Sequence, residues 1–472
     1  MRSLHWSSQL LRLATAMCFS VVLTTACRAA EAPAESPAIV AVELTTAASE
    51  SADTPAEEPE NETPPSETSA NDPPEKSLGR PTHKQVHTIK INTDDLAETS
   101  LNCFCLSPTG NVLAACGSET GEIREFTPTG EFVTSWELDH KPEAINVGSD
   151  GNIYVAGAGQ LLKLSPSGEV LLRQAAPHVA AITANPEKIR EDIIEQTKQM
   201  REQFTGQIKT YQDMLTPLQE KPEEERTDED KQQIAMFEQV IKQYEEMSEQ
   251  YGTEELTEEE LDEKVADSIA YKSRIASISE ADGEVFIATG SMEGYGYDVW
   301  KMDTEFAGGE VIITGLRGCC GQMDVQCCKN GLFVAENSRH RVARFDTTGK
   351  EIISWGKQAR EGLHGFGSCC NPMNVAFGSD GSVYTAEDDT GRIKQFTPDG
   401  ELIALIGKVD LVPGCKKVAI SVDKEGKNIF MLDITRNEIL VMDRLKPGET
   451  VSYSESESGG SIFDALKGVL GL

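Results

Sequence analysis

The sequence predicts an all-β fold, a six-bladed β-propeller with an inserted α-helical hairpin or coiled coil, and three observations carry that expectation. The chain repeats itself with a period of about 45 residues. Each repeat reads as four short β runs separated by Asp-Gly, Thr-Gly or Pro-x-Gly turns. One break in the period holds a long charged stretch whose apolar residues fall at helical spacing.

Before the repeats come two segments of different character. Arg2 and Arg12 flank the start of an apolar run, Leu13 to Leu23, followed by the small residues Thr24, Thr25 and Ala26, the layout of a secretory signal over residues 1–26. Cys27 stands where a lipid anchor would attach, although the preceding leucine lies four residues before it rather than three. Residues 27–85 then read as a disordered acidic spacer: positions 31–79 hold twelve acids, eight prolines and one lysine, too little apolar surface to offset ordering entropy. The expected location is exported, periplasmic or cell-envelope, with no transmembrane span once the signal is removed.

The propeller is expected over residues 86–185 and 273–447. EAINVGSDGNIYVAGAGQLLKLSPSGEVL from Glu143, MNVAFGSDGSVYTAEDDTGRIKQFTPDGELI from Met373 and FCLSPTGNVLAACGSETGEIREFTPTGEFV from Phe104 align directly. Their first-turn glycines belong to a series, Gly110, Gly151, Gly283, Gly331, Gly381 and Gly426, spaced 41, 132, 48, 50 and 45 residues apart. The long gap is one repeat plus about 85 extra residues, so six units remain. Trp136 and Trp355 each follow a third-turn glycine, Gly130 and Gly349, by six residues. Arranged radially, six such meanders bury both faces of each sheet, and the strand-like VHTIKIN from Val86 is placed to complete the last one.

VAENSRHRVARFDTTGKEIISWG from Val334 and GLHGFGSCCNPMNVAFGSDG from Gly362, with Pro372, resemble the NHL repeat. The likeness is good in units four and five, weaker in one and two, and divergent in three and six. It implies a six-bladed propeller over about 280 residues, in a family of mostly binding platforms with a minority of lyases and lactonases.

The interruption, residues 186–272, keeps three- and four-residue steps through Ile189, Ile193, Met200, Phe204, Ile208, Tyr211, Leu215 and Leu218, and again from Ile234 to Tyr251. Thr227 with Asp230 and Thr257 with Glu260 read as helix starts, the latter opening a third helix to about Lys272. Its apolar stripe suits packing on itself, with a partner helix as the alternative. Residues 448–472 are a flexible tail whose end, Ser461 to Leu472, is amphipathic.

The chemistry rests on cysteine. Cys103, Cys105, Cys116, Cys319, Cys320, Cys327, Cys328, Cys369, Cys370 and Cys415 remain after signal removal, and most lie at or just before the first strand of a repeat. First strands line a propeller axis, so thiols from units one, four, five and six are expected at one mouth of the channel. All ten are disulfide candidates in an exported chain. A thiolate metal site using Cys103, Cys105, Cys319, Cys320, Cys327, Cys328, Cys369, Cys370 and Cys415 is the alternative, and small buried hydrophobes a third reading. Adjacent residues on a strand face opposite ways, so a doublet such as Cys327-Cys328 serves one partner only where the backbone bends. His140, His178 and His364 are expected on surface loops. Glu336, Glu387 and Asp433 recur at second-strand ends and read as a structural hydrogen-bonding position.

Net charge is −35, with 43 Lys plus Arg against 78 Asp plus Glu, which excludes a grip on nucleic acid through its phosphates. No Gly-x-Ser-x-Gly, phosphate loop or matched nucleophile and base is present, so no catalytic residue and no cofactor are predicted, a metal ion aside. The leading expectation is an exported binding or scaffolding module that takes a protein or small ligand on a propeller face. The alternative is a redox or metal-dependent enzyme, oxidoreductase or lactonase/lyase-like, at the channel mouth.

Overall fold

A computed structural model describes residues 79–250, 256–292, 295–359 and 362–451. The signal region, Cys27, most of the spacer and the amphipathic tail lie outside them. Among the described residues no helix is long and apolar enough to cross a membrane.

Every repeat forms a four-stranded antiparallel sheet, and the six sheets make the blades of a propeller. Blade 1 is β2 (Leu101–Leu106), β3 (Val112–Gly117), β4 (Gly121–Phe126) and β5 (Phe132–Leu138). Blade 2 is β6 (Ala144–Val147), β7 (Ile153–Gly157), β8 (Gln160–Leu164) and β9 (Val170–Ala175). Blade 3 follows the insertion as β10 (Ile275–Ala281), β11 (Glu284–Gly290), β12 (Tyr297–Asp303) and β13 (Glu310–Leu316). Blade 4 is β14 (Asp324–Cys328), β15 (Gly331–Glu336), β16 (Arg341–Phe345) and β17 (Glu351–Trp355). Blade 5 is β18 (Asn374–Phe377), β19 (Val383–Ala386), β20 (Arg392–Phe396) and β21 (Leu402–Lys408). Blade 6 comprises β22 (Ile420–Val422), β23 (Asn428–Asp433), β24 (Glu438–Arg444) and, from the start of the chain, β1 (His83–Lys90).

The second strands are buried on both faces, which is why they read as unbroken apolar runs such as Leu332, Phe333, Val334 and Ala335. The tryptophan register now has a cause. Trp136 of blade 1 covers Gly168 of blade 2, and Trp355 of blade 4 covers Gly400 of blade 5, so closely that a Cβ on either glycine would sit 2.3 or 2.6 Å from the indole. Toward the axis, successive blades clasp through side chain and backbone: Ser277 Oγ accepts from Val325 N at 3.0 Å, Asp324 Oδ2 from Val375 N at 2.8 Å and Asn374 Oδ1 from Ile420 N at 2.8 Å.

Closure uses β1 against β24, but the strand begins at His83, three residues before the expected Val86. Val86 is the bulged residue, skipped between the pairs Gln85–Met442 and His87–Val441, and its side chain points to solvent. His83 is buried and its Nε2 bonds the Gly426 carbonyl at 3.1 Å, so the spacer ends before it rather than at residue 85.

The insertion holds the three expected helices, and a short fourth helix precedes it. α1 (Pro177–Thr183) precedes α2 (Pro186–Gln219), α3 (Asp228–Gln250) and α4 (Glu258–Lys272). α2 and α3 pack antiparallel through Phe204 with Tyr244 and Tyr211 with Phe237. α4 returns along α2, where Arg190 pairs with Glu258 and Asp262. Both expected caps form, Thr227 with Asp230 and the capping box of Thr257 with Glu260. The short α1 carries too few periodic residues to announce itself. It belongs to the ring: Pro177 lies over Gly309 and buried His178 packs beside Trp300.

Deleting Glu187 to Lys264 and joining the ends with a short Gly-Ser linker is therefore expected to leave the β unfolding transition intact. Arg190 already holds the start of α2 against α4, and loop length itself costs little. A thermal melt in which the deleted chain lost its cooperative transition would make the helices part of the propeller core.

Candidate functional site

Five thiols meet at one mouth of the channel. They come from the loops that lead into the first strands of blades 4, 5 and 6: Cys319 and Cys320 before β14, Cys369 and Cys370 before β18, and Cys415 before β22. The Sγ separations are 3.4 Å for Cys319–Cys320 and Cys320–Cys370, 3.2 Å for Cys369–Cys370, 3.1 Å for Cys369–Cys415 and 3.5 Å for Cys370–Cys415. Cys370 is fully buried at the centre, Cys319 is half-buried, and Cys320, Cys369 and Cys415 face solvent. Strand alternation does not separate these doublets because they sit in bends. Cys320 has φ 57° and Ser368, beside the second doublet, φ 61°, a left-handed backbone that non-glycine residues hold at a cost of about 1–3 kcal/mol.

What fixes the bends is the recurring acid. Glu336, Glu387 and Asp433 are fully buried, and each accepts a backbone N–H from a thiol-bearing loop two or three residues ahead of its cysteine. Arg317 N donates to Glu336 at 2.8 Å, Gly367 N to Glu387 at 3.1 Å and Val412 N to Asp433 at 3.1 Å. Basic side chains neutralise the carboxylates from the other side: Arg339 and Arg341 on Glu336, Arg392 and Lys394 on Glu387, Lys416 and Arg436 on Asp433. The acid occurs only in the three blades that supply thiols. β3, β7 and β11 end instead on Gly117, Gly157 and Gly290. Asn337 adds a further anchor, accepting from Cys319 N at 2.8 Å and donating to the carbonyls of Cys319 and Gln322. The signal that joins acid to thiol was present in the repeats as this co-occurrence.

The sulfurs are not electrostatically alike. Hydrogen bonds from Cys320 and Cys370 pull the Cys319 thiol below its ordinary range. The thiols of Cys320 and Cys370 are correspondingly raised, because each bonds to Cys319. Such an arrangement offers a nucleophilic, metal-ready sulfur next to protonated neighbours.

The other five cysteines are elsewhere. Units one and four were expected to send Cys103, Cys105, Cys327 and Cys328 to this mouth, but all four lie within regular strands, β2 and β14, rather than in the loops before them. Cys327 packs toward blade 3 and Cys328 toward blade 5, on opposite faces of β14 as alternation requires. Cys116 is fully buried on β3. Burial raises the thiols of Cys103, Cys116 and Cys327 to about 11, 12 and 12, and those of Cys105 and Cys328 as well, which makes these groups unreactive small hydrophobes at neutral pH. All ten are free cysteines in the structure.

Below the thiols the six first strands enclose a channel of about 290 Å³. Gln322 spans its upper end, donating to the carbonyls of Met373 and Val418 at 2.8 Å each and so tying blades 4, 5 and 6 together. Asp324 lies in the wall, almost wholly buried, and loss of hydration raises its carboxyl to about 6. The folded chain therefore keeps a proton there that the unfolded chain releases above about pH 4. Stability from this proton is complete below that pH and falls as pH rises through 6. Asp324→Asn, neutral throughout, is expected to gain on the natural chain by up to about 3 kcal/mol between pH 4 and 7. Denaturant midpoints of both chains across that range check it; a constant difference would deny the buried proton.

The histidines are corrected in part. His364 is exposed as expected, whereas His140 and His178 are buried rather than on surface loops. His140 Nδ1 bonds Asp139 at 2.9 Å and His178 Nε2 bonds the Ser273 carbonyl at 3.2 Å. Neither joins a group of three metal-ligating side chains among the described residues.

No protein-family model matches the sequence, and no curated protein is similar enough to be matched. Solved structures resemble it at low identity. A streptogramin B lyase structure shares 12% identity at a TM-score of 0.40, over 76% of this chain and 98% of that one. A luciferin-regenerating enzyme shares 10% at 0.39, over 78% and 98%, and the WD40 β-propeller domain of Doa1 7% at 0.38, over 77% and 98%. The strand pairing described above, rather than these likenesses, establishes the propeller, and none of them brings an activity to this chain.

Proposed function

We propose that this chain is an exported, NHL-like propeller that serves as a binding module, and that its ligand at the thiol-bearing mouth is a soft metal ion held by cysteine thiolates. The observation that carries the reading is the convergence of five sulfurs from three blades, each loop held by its own buried acid. Soft thiolate ligands favour Cu(I) and Zn(II). A grip of this kind needs no catalytic pair and accords with the lack of one in the sequence. The acidic helical insertion is a second contact surface for a basic protein partner, and export rests on the Arg2 to Ala26 segment.

Metal analysis of protein purified without chelator tests the reading, together with thiol counting after denaturation. Bound metal in near-integer stoichiometry, five reactive thiols released by chelator, and a lower melting temperature after metal removal are expected.

A second reading is oxidation, favoured by the 3.1 Å approach of Cys369 to Cys415 across blades 5 and 6. Bridges from blade 5 to blades 4 and 6 would stabilise by roughly 3–5 kcal/mol through long-loop closure. Five sulfurs cannot all pair within the cluster, so this reading leaves one free thiol there. Six thiols rather than ten in denatured, unreduced protein and no effect of chelator would favour it and remove the metal.

A further inference from the structure

The geometry points to a two-metal site in which the buried Cys370 sulfur bridges two Cu(I) ions, one held also by Cys319 and Cys320, the other also by Cys369 and Cys415. The inference rests on the soft-metal reading above and goes further in number, identity and ligand sharing. The five sulfurs do not form one mutually close set. They fall into two triads, Cys319/Cys320/Cys370 and Cys369/Cys370/Cys415, within each of which all sulfurs lie within 4.8 Å, and Cys370 is common to both.

Three-sulfur sets favour Cu(I). An ion with sulfur bonds of about 2.3 Å, centred among three thiolates, needs them about 4 Å apart, which these triads reach with small side-chain shifts. Structural zinc takes four ligands in a tetrahedron and iron–sulfur clusters four terminal thiolates. Among the described residues no fourth Cys, His, Asp or Glu joins either triad. Cu(I), which thiolates select by softness, is content with three.

Placement of the shared sulfur supports the bridge. Cys370 is fully buried and packs among Met373, Ile406, Val409 and Val418, so its position is set by the core of blades 5 and 6 rather than by the ligand. Cys320, Cys369 and Cys415 at the exposed rim give the ions a way in. No electron is transferred on binding: each thiol that is still protonated gives its proton to solvent as the copper–sulfur bond forms, so affinity rises with pH.

The test is anaerobic titration of the reduced full chain with Cu(I) against a chromophoric Cu(I) chelator, with X-ray absorption at the copper edge. Two equivalents bound with sulfur-only coordination and a copper–copper scattering path are expected. Cys415→Ser and Cys319→Ser, at the outer corners of the two triads, should each reduce the stoichiometry to one, and Cys370→Ser should weaken both ions. Circular dichroism reports whether Cys370→Ser still folds, and the two outer variants decide the matter if it does not. One copper per chain, or two retained by both outer variants, would overturn the two-ion assignment while leaving the soft-metal reading in place. Preference for a single Zn(II) over Cu(I) in competition would do the same. No metal retained by reduced protein would remove both.

Discussion

Replacing Glu387 with glutamine is expected to cost about 3–5 kcal/mol of stability, out of proportion to the one atom exchanged. Glu387 and Lys394 are both fully buried and lie 2.9 Å apart, with Arg392 on the second oxygen at 2.8 Å. The glutamine keeps the shape and can still accept from Gly367 N, but it strips the Lys394 ammonium of the carboxylate that touches it. Desolvation already lowers that ammonium to about 8 in the presence of the carboxylate, so without it the group must lose its proton or force the loop open. The carboxyl itself is held below its ordinary range by Lys394 and Arg392 against its own desolvation. Stability from this pair is therefore present above about pH 4 and lost as acid protonates Glu387. Adding Lys394→Met to the variant should recover much of the loss, because a buried pair replaced by apolar groups is often neutral. Urea denaturation at pH 7 measures all three chains. A single variant within 1 kcal/mol of the natural chain would show that the pair is solvated and the bend otherwise held.

Larger still is the expected effect of removing the closing strand. A chain that begins at Thr93 lacks β1 and loses the burial of Ile89 and Ile91, worth about 2–5 kcal/mol each by comparison with aliphatic truncations in cores. It also strips a partner from Arg124, which is 2% exposed and donates to the Ile91 carbonyl at 2.7 Å. Arg124 keeps Glu122 and the Ala97 carbonyl, so the lost bond adds about 1–3 kcal/mol. The sum approaches the 5–15 kcal/mol that keeps an ordinary domain folded, so most of the truncated chain should be unfolded at 25 °C. A synthetic peptide of residues 79–92 added in excess should restore a cooperative transition by strand addition beside β24. If the truncated chain melted where the full chain does, the ring would have to close by some other contact.

The ring was legible because repetition survives divergence: turn glycines keep register even where blades 3 and 6 have lost their other likeness, and Trp136 and Trp355 keep it between blades 1 and 4. Finer placement failed where a local cue and a tertiary contact disagreed. Val86 looked like the start of a strand because it is apolar, yet it is the bulged residue, and polar His83 is buried because Gly426 offers it a partner. For the thiols, placing cysteines at or just before the first strand of a repeat located the loops of blades 4, 5 and 6 correctly. It could not distinguish a cysteine in a loop from one a few residues inside a strand, and that difference separates the five clustered sulfurs from Cys103, Cys105, Cys327 and Cys328. That Glu336, Glu387 and Asp433 recur in the repeats that carry the clustered thiols was there to be read, but how each acid anchors its loop required the loop path itself.

Closure by a strand from the beginning of the chain also governs when the protein finishes folding. β1 cannot pair until β24 has been made and brought round, so the last sheet joins residues some 350 positions apart, a non-local contact of the sort that slows folding. Until the blades themselves have formed, Cys415 and both doublets are exposed alongside the five thiols destined for the interior. Under the export proposed above, each of those is open to wrong pairing before the ring shuts. Refolding yield from the reduced, denatured state should then depend on how soon oxidant is admitted: early oxidation traps interior sulfurs such as Cys103 or Cys327 in bridges the finished ring cannot hold, and late oxidation finds them already sealed inside the blades.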